Sequence, residues 1–197
     1  MKIVFRKKIL LALALCCTTM LAIAQTYPER PVKIMQGFAP GGNADTIARV
    51  VTGEMTKGMV QPFVVEAQAG AGGTIAATTV SKAKPDGYTL LLATGGHAVA
   101  GALYNNLAYR TVQDFEMVST ITYFPFLMVV PADSKINSLS ALLAQAKANP
   151  DKVGYGTAGI GSTHHLAGEL LASMSKTQLL HVPYRGDSAS LTALLAG

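Results

Sequence analysis

The chain has 197 residues, half of them hydrophobic, a formal net charge of +5, two cysteines and no tryptophan. Four basic residues (Lys2, Arg6, Lys7, Lys8) and both cysteines (Cys16, Cys17) fall in the first 24 positions, so residues 25–197 carry a formal charge of only +1. That excludes nucleic-acid binding through a basic surface, and it leaves no disulfide, thiol nucleophile or thiolate metal ligand after position 24.

The N-terminus has the three parts of a cleavable signal peptide: the basic stretch, an apolar run from Ile9 to Cys17, and the small-x-small pattern Ala22-Ile23-Ala24. A spanning helix needs roughly 20 apolar residues, and Thr18 and Thr19 interrupt this run early. The expectation is export to the periplasm with cleavage after Ala24. A lipoprotein reading fails because Leu15 and Cys16, not small residues, precede the two cysteines.

Strand and helix signals then alternate. Pro31–Phe38 reads as a strand, Pro40-Gly41-Gly42 as a turn, and Ala44–Met55 as a helix with apolar residues at Ile47, Val50, Val51 and Met55. Pro62–Ala67 is a second strand, Ala69–Gly73 a second glycine turn and Thr74–Ala83 an alanine-rich helix. Pro85-Asp86-Gly87 is a tight turn. Tyr88–Thr94 is a continuously apolar run, as in a buried parallel strand. Glu116–Pro131 reads as two strand pieces split by Pro125, crossing between lobes. Leu139–Ala148 is a helix capped by Asn137 or Ser138 and stopped by Asn149-Pro150. Lys152–Thr157 is a strand, Ala158–Ser162 a glycine turn, Thr163–Met174 a helix, Leu179–Tyr184 a strand and Ser188–Ala196 a helix. The ending Leu194-Leu195-Ala196-Gly197 reads as a chain cut short.

This alternation predicts parallel α/β units, whose ligands bind beyond the C-terminal strand ends. The loop from Phe38 to Arg49 is the first candidate. Its glycines allow close backbone approach, and the N–H groups at a helix start favour a carboxylate or phosphate. Asn43 is expected as the N-cap. Asp45 and Arg49 are spaced to pair along the helix, as a structural feature or as part of the site. Thr157–His165 is the second candidate, with Ser162 and Thr163 able to cap the helix or bind a ligand oxygen. It lacks the lysine of a P-loop. His164 and His165 are adjacent and point apart on a helix, so no metal site is expected; one is expected near the cleft and the other on the surface. Two weaker loops carry Gly95 and His97, and Tyr184 and Arg185, whose guanidinium could grip a carboxylate or be a solvated surface group. No nucleophile elbow, triad spacing or paired carboxylates point to an enzyme.

The segments YPERPVKIMQGFAPGGNADTIAR, AGAGGTIAATTVSKAKPDGYTLLLAT, PFLMVVPADS, YGTAGIGSTHHLAGELL and HVPYRGDSASLTALLAG occur in order over nearly the whole of residues 25–197. Together they resemble the periplasmic receptors of tripartite tricarboxylate transporters, the Bug family of solute-binding proteins. The resemblance implies a type II periplasmic-binding α/β fold of two lobes joined by crossing strands, lobe 1 over residues 25–122 and the hinge strands with an incomplete lobe 2 over 123–197. It implies a pincer on a small carboxylated metabolite, without cofactor or metal. One jaw is Ala39, Gly41, Gly42, Asn43 and Asp45; the other is Gly159, Gly161, Ser162, Thr163 and His164. Thr94-Gly95-Gly96-His97 departs from the serine-containing turn usual in the family. The implied role is that of a monomer delivering its ligand to membrane permease subunits, closing by a hinge motion near Thr122–Pro131. A sensor docking on a membrane signalling protein would use the same cleft.

Overall fold

The computed structural model describes residues 27–197. The expected signal peptide and its cleavage point therefore lie outside the described residues.

Three parallel strands form the first lobe's sheet: β1 (Val32–Gln36), β2 (Phe63–Ala67) and β3 (Thr89–Leu91), in the order β2-β1-β3. β1 is central, and all its residues but Lys33 are buried. Val32, Ile34, Ala48 and Phe63 make the core cluster, with Met55, Val65, Tyr88, Leu90 and Leu92 packed on it. Full burial of a side chain such as Val32 contributes about 1.5–3 kcal/mol, so this strand fixes where its C-terminal loop emerges.

Helix α1 (Asn43–Gly58) follows that loop. Its buried residues are Ala44, Asp45, Ala48 and Thr52, while Val50 is exposed. The apolar spacing of Ile47, Val50 and Val51 thus located the helix but not its inner face. Small residues four apart let the helix lie close on the sheet, which a stripe of larger side chains would not. Gly42, not Asn43, is the N-cap, and it makes no side-chain cap. After β2, one 3₁₀ turn (Ala71–Gly73) leads into α2 (Thr74–Ser81). After β3, where a loop carrying Gly95 and His97 is expected from the sequence, comes α3 (Gly95–Leu103); its two opening glycines have little helical preference of their own.

The second lobe has α4 (Leu139–Ala148), β4 (Gly154–Thr157), α5 (Thr163–Ser175), β5 (Leu180–Pro183) and α6 (Asp187–Ala196). Strands β4 and β5 pair in parallel, in register from Gly154 opposite Leu180 to Thr157 opposite Pro183. Ser138 caps α4 by accepting from the Ala141 N–H at 3.2 Å, one of the two caps expected. Leu142, Ala146 and Val153 form this lobe's core, with Ile136, Leu171 and Leu179 against it.

The crossing strands expected over Glu116–Pro131 are not formed. The segment is irregular and exposed throughout, with Val118, Tyr123 and Leu127 more than four-fifths exposed. A strand is held by its ladder, and no described strand pairs with this one. Its apolar, β-branched composition satisfies the local preference for extension but not the pairing. The lobes are joined by extended coil where a pair of strands was expected. Among the described residues, no helix is long and apolar enough to cross a membrane.

Candidate functional site

The site is built on four buried polar side chains, Gln36, Asp45, Thr157 and Ser162, beneath two loops. At the end of β1, Gln36 is fully buried, and its Oε1 accepts from the Phe38 N–H at 2.8 Å. Its Nε2 lies 3.5 Å from Asp45 Oδ1. Asp45 is 4 % exposed, and its Oδ2 accepts from the Gly41 N–H at 3.0 Å and from Arg49 Nε at 2.8 Å. The bond from Arg49, then those from the Gly41 N–H and Gln36, hold the Asp45 carboxyl below its usual range against the opposing effect of burial. Asp45 therefore braces the turn from below. The glycine turn and the pair with Arg49 are one structure, and the expected pairing along the helix is present.

The opposite loop is tied down in the same way. Thr157 Oγ1 is 2.7 Å from His181 Nε2 and accepts from the Gly159 N–H at 3.2 Å. The Gly161 N–H donates to His165 Nδ1 at 3.3 Å. Ser162 is 1 % exposed, and its Oγ caps α5 by accepting from the His165 N–H at 3.3 Å. So the N–H groups of Gly159 and Gly161 are engaged inside their own loop. The donors left by helix geometry are those of the first turns, Asn43 to Asp45 in α1 and Thr163 and His164 in α5, which have no intrahelical acceptor.

Structure separates the paired histidines. His164 lies beside the cleft, its Nδ1 3.5 Å from Asp187 Oδ1 and its ring 4.7 Å from that of Phe126. His165 is turned inward, not to the surface, and stacks on His181 with centroids 4.1 Å apart. Burial, then the neighbouring His165, lowers the pKa of His181, with Glu169 opposing. Among the described residues, no group of three His, Cys, Asp or Glu could hold a metal ion.

The two loops meet. The Ala39 N–H donates to the Arg185 carbonyl at 2.9 Å, and the Tyr104 hydroxyl donates to the Ile160 carbonyl at 3.1 Å. Gly72 and Gly96 sit where nothing larger fits. A Cβ on Gly72 would stand 2.6 Å from the Ile160 carbonyl oxygen, and one on Gly96 2.7 Å from that of Gly161. Asp187 bridges the lobes: its Oδ2 accepts from the Asn43 N–H at 3.4 Å, and its Oδ1 faces His164. The void behind the first loop, lined by Gly37, Gly72, Gly73, Thr94, His97 and Tyr109, has about 10 Å³ of room, about one water-sized sphere. The cleft is shut in this conformation.

Of the weaker candidates, Gly95 opens α3 and its Cβ position lies 3.1 Å from Thr163, so it borders the second loop. His97 points into lobe 1: its Nε2 donates to the Thr111 carbonyl at 2.9 Å and its ring stacks on Tyr109. Tyr184 donates its N–H to the Thr157 carbonyl, continuing the β4–β5 ladder. Arg185 meets lobe 1 through its carbonyl, and its side chain is exposed. Sequence reasoning missed Gln36, Gly72, Tyr104 and Asp187. For Gly72 a signal existed, since Ala69–Gly73 is a glycine turn after a strand like the two that were chosen. Nothing local marks the other three.

Comparison with known proteins gives this geometry a family. Residues 47–197 match the profile described as the tripartite tricarboxylate transporter family receptor. A UPF0065 protein from the tcbD-tcbE intergenic region of Pseudomonas sp. strain P51 is 39 % identical over 195 residues, 98 % of this chain and 58 % of that protein. Among solved structures, R. palustris Rpa4515 with adipate superposes with a TM-score of 0.82 at 33 % identity, covering 87 % of this chain and 57 % of that one. MatC from Rhodopseudomonas palustris with bound malate gives 0.79 at 38 % identity, over 87 % and 58 %. The periplasmic binding protein BugD gives 0.75 at 36 %, over 86 % and 57 %. The chain thus spans between half and two thirds of the length of these relatives.

Proposed function

This chain belongs to the tripartite tricarboxylate transporter receptor family, and on that premise we propose that it captures a small carboxylated metabolite between its two lobes and delivers it to membrane permease subunits. The family's members are receptors, and the similar structures are binding proteins rather than enzymes. The observation that carries the reading is the meeting of two helix starts around the carboxylate of Asp187, whose Oδ2 lies 3.4 Å from the Asn43 nitrogen and whose Oδ1 lies 3.5 Å from His164 Nδ1. First-turn donors without an intrahelical acceptor and the positive ends of α1 and α5 both favour an anion there. The similar structures hold adipate and malate, both small carboxylates.

The mechanism is capture by closure. Ala39, Gly41, Gly42, Asn43 and Asp45 form one jaw; Gly159, Gly161, Ser162, Thr163 and His164 form the other. The ligand enters when the contacts of Ala39 with Arg185 and of Tyr104 with Ile160 part, and the lobes swing about the linking segment near Thr122–Pro131. Both jaws come from one chain, which suits a protein that works as a monomer. It works in the periplasm after cleavage at Ala24, which suits a family that includes periplasmic binding proteins. The test is a thermal-shift screen of the complete protein carrying this sequence against a broad panel of carboxylic acids. A ligand at 100 times its Kd stabilises by about 2.7 kcal/mol. A flat response to every acid refutes the reading.

A further inference from the structure

The carboxylate position just described is occupied by the protein's own Asp187. The residue is the first of α6, where an acidic side chain would stabilise its own helix. That role does not require it to reach lobe 1. Yet its carboxylate accepts from the Asn43 N–H, 144 residues away in sequence, and stands against His164 on the facing helix. Ser188 follows it across the gap, its hydroxyl donating to the Pro40 carbonyl at 3.2 Å. The start of α6 is therefore a third wall of the cleft, and it brings a full negative charge.

Apart from His164, whose ring faces it and pairs with it only when protonated, the other charges of the cleft do not balance it. Asp45 is paired with Arg49 beneath the first loop. Arg185 is exposed and meets the first loop only through its backbone. A ligand carboxylate that takes the helix-start donors comes to lie beside Asp187. A second ligand carboxylate on that side meets like charge at close range, which is repulsive. An ammonium group on that side meets its counter-charge. Discrimination by an unfavourable pairing is as effective as discrimination by a new attraction.

We propose that Asp187 is a specificity-determining residue, which makes this receptor select a carboxylate carrying an ammonium group over a dicarboxylate of the same length. The proposal rests on the carboxylate-receptor reading and names the ligand class within it. Asp187 acts twice: it competes with the ligand's carboxylate for the Asn43 N–H, and it binds the ligand's cation once displaced.

The test is isothermal titration of the complete protein carrying this sequence with two matched pairs, succinate against aspartate and glutarate against glutamate. The titrations are repeated with Asp187→Asn, which keeps the shape and removes the charge, and with Asp187→Ser as a second variant. The expected result is an ammonium-bearing ligand at least tenfold tighter than its partner in the unsubstituted protein. Both variants lose most of that ratio, chiefly by gaining affinity for succinate and glutarate. A ratio that survives both substitutions overturns the proposal, as does a dicarboxylate preference in the unsubstituted protein. Either result leaves the receptor reading in place. Binding of other carboxylates with none of the ammonium-bearing ones likewise overturns it. Failure of every carboxylate to bind removes the receptor reading itself, and this proposal with it.

Discussion

Replacing Asp45 by alanine tests whether the first loop is held from below. The side chain is 4 % exposed and accepts at 3.0 Å from the Gly41 N–H and at 2.8 Å from Arg49, with the Gln36 amide at 3.5 Å. A hydrogen bond to a charged group contributes about 1.5–3 kcal/mol, so loss of the Gly41 contact costs about 2 kcal/mol. Stranding the buried Gln36 amide adds about 1 kcal/mol. The Arg49 side chain is more than half exposed, so solvent screening leaves its share small. The expected loss is about 3–4 kcal/mol, or roughly 10 °C in Tm for a protein of this size. Asp45→Asn keeps an acceptor and should lose less than half as much. Thermal unfolding followed by circular dichroism measures both. The pH dependence is a second signature. Because the folded carboxyl sits below its usual value, its stabilisation is complete above pH ~4 and fades as the pH falls through the lowered pKa. The alanine variant should lack that part of the acid transition. A loss under about 1 kcal/mol with an unchanged acid transition would refute the reasoning and leave Asp45 as an ordinary first-turn acid.

Three further outcomes follow from the same geometry. Gly72→Ala places a methyl 2.6 Å from the Ile160 carbonyl; it should hold the lobes apart, weaken ligand binding at least tenfold and raise the radius of gyration measured by small-angle scattering with ligand present. Tyr104→Phe removes the hydroxyl bond to the Ile160 carbonyl and should loosen closure by about 1 kcal/mol, seen as a faster ligand off-rate with little change in Tm. His181 titrates below the ordinary histidine value because it is buried and beside His165. The unfolded chain therefore takes up its proton first, and stability should fall as the pH drops below ~6.5 until the folded pKa is passed. His181→Gln should flatten that limb in a pH series of urea unfolding curves.

Elements with a local cause were legible in the sequence. The helix α4 was placed residue for residue because Ser138 caps it and Asn149-Pro150 ends it. Strand β1 was legible from its apolar run, and the loop after it from Pro40-Gly41-Gly42. The fold class and family followed from five segments in order, each weak alone. What failed depended on tertiary partners. Glu116–Pro131 has the composition of strands, but a strand exists only where a ladder forms. Helix α3 opens on Gly95-Gly96, a poor helical start, held against the second loop where Gly96 allows close approach to Gly161. Gln36 looked like one more strand residue, although its buried amide organises the turn. Asp187 meets Asn43 across 144 residues, which no periodicity can announce.

The central claim is that two helix starts close on a carboxylate. Isothermal titration of the complete protein, comparing each carboxylic acid that stabilises it with its neutral primary amide, tests that claim most directly. The account predicts one saturable site per chain for the acid and at least a hundredfold weaker binding of the amide, because the helix starts favour the negative charge. Equal affinity for acid and amide would contradict it.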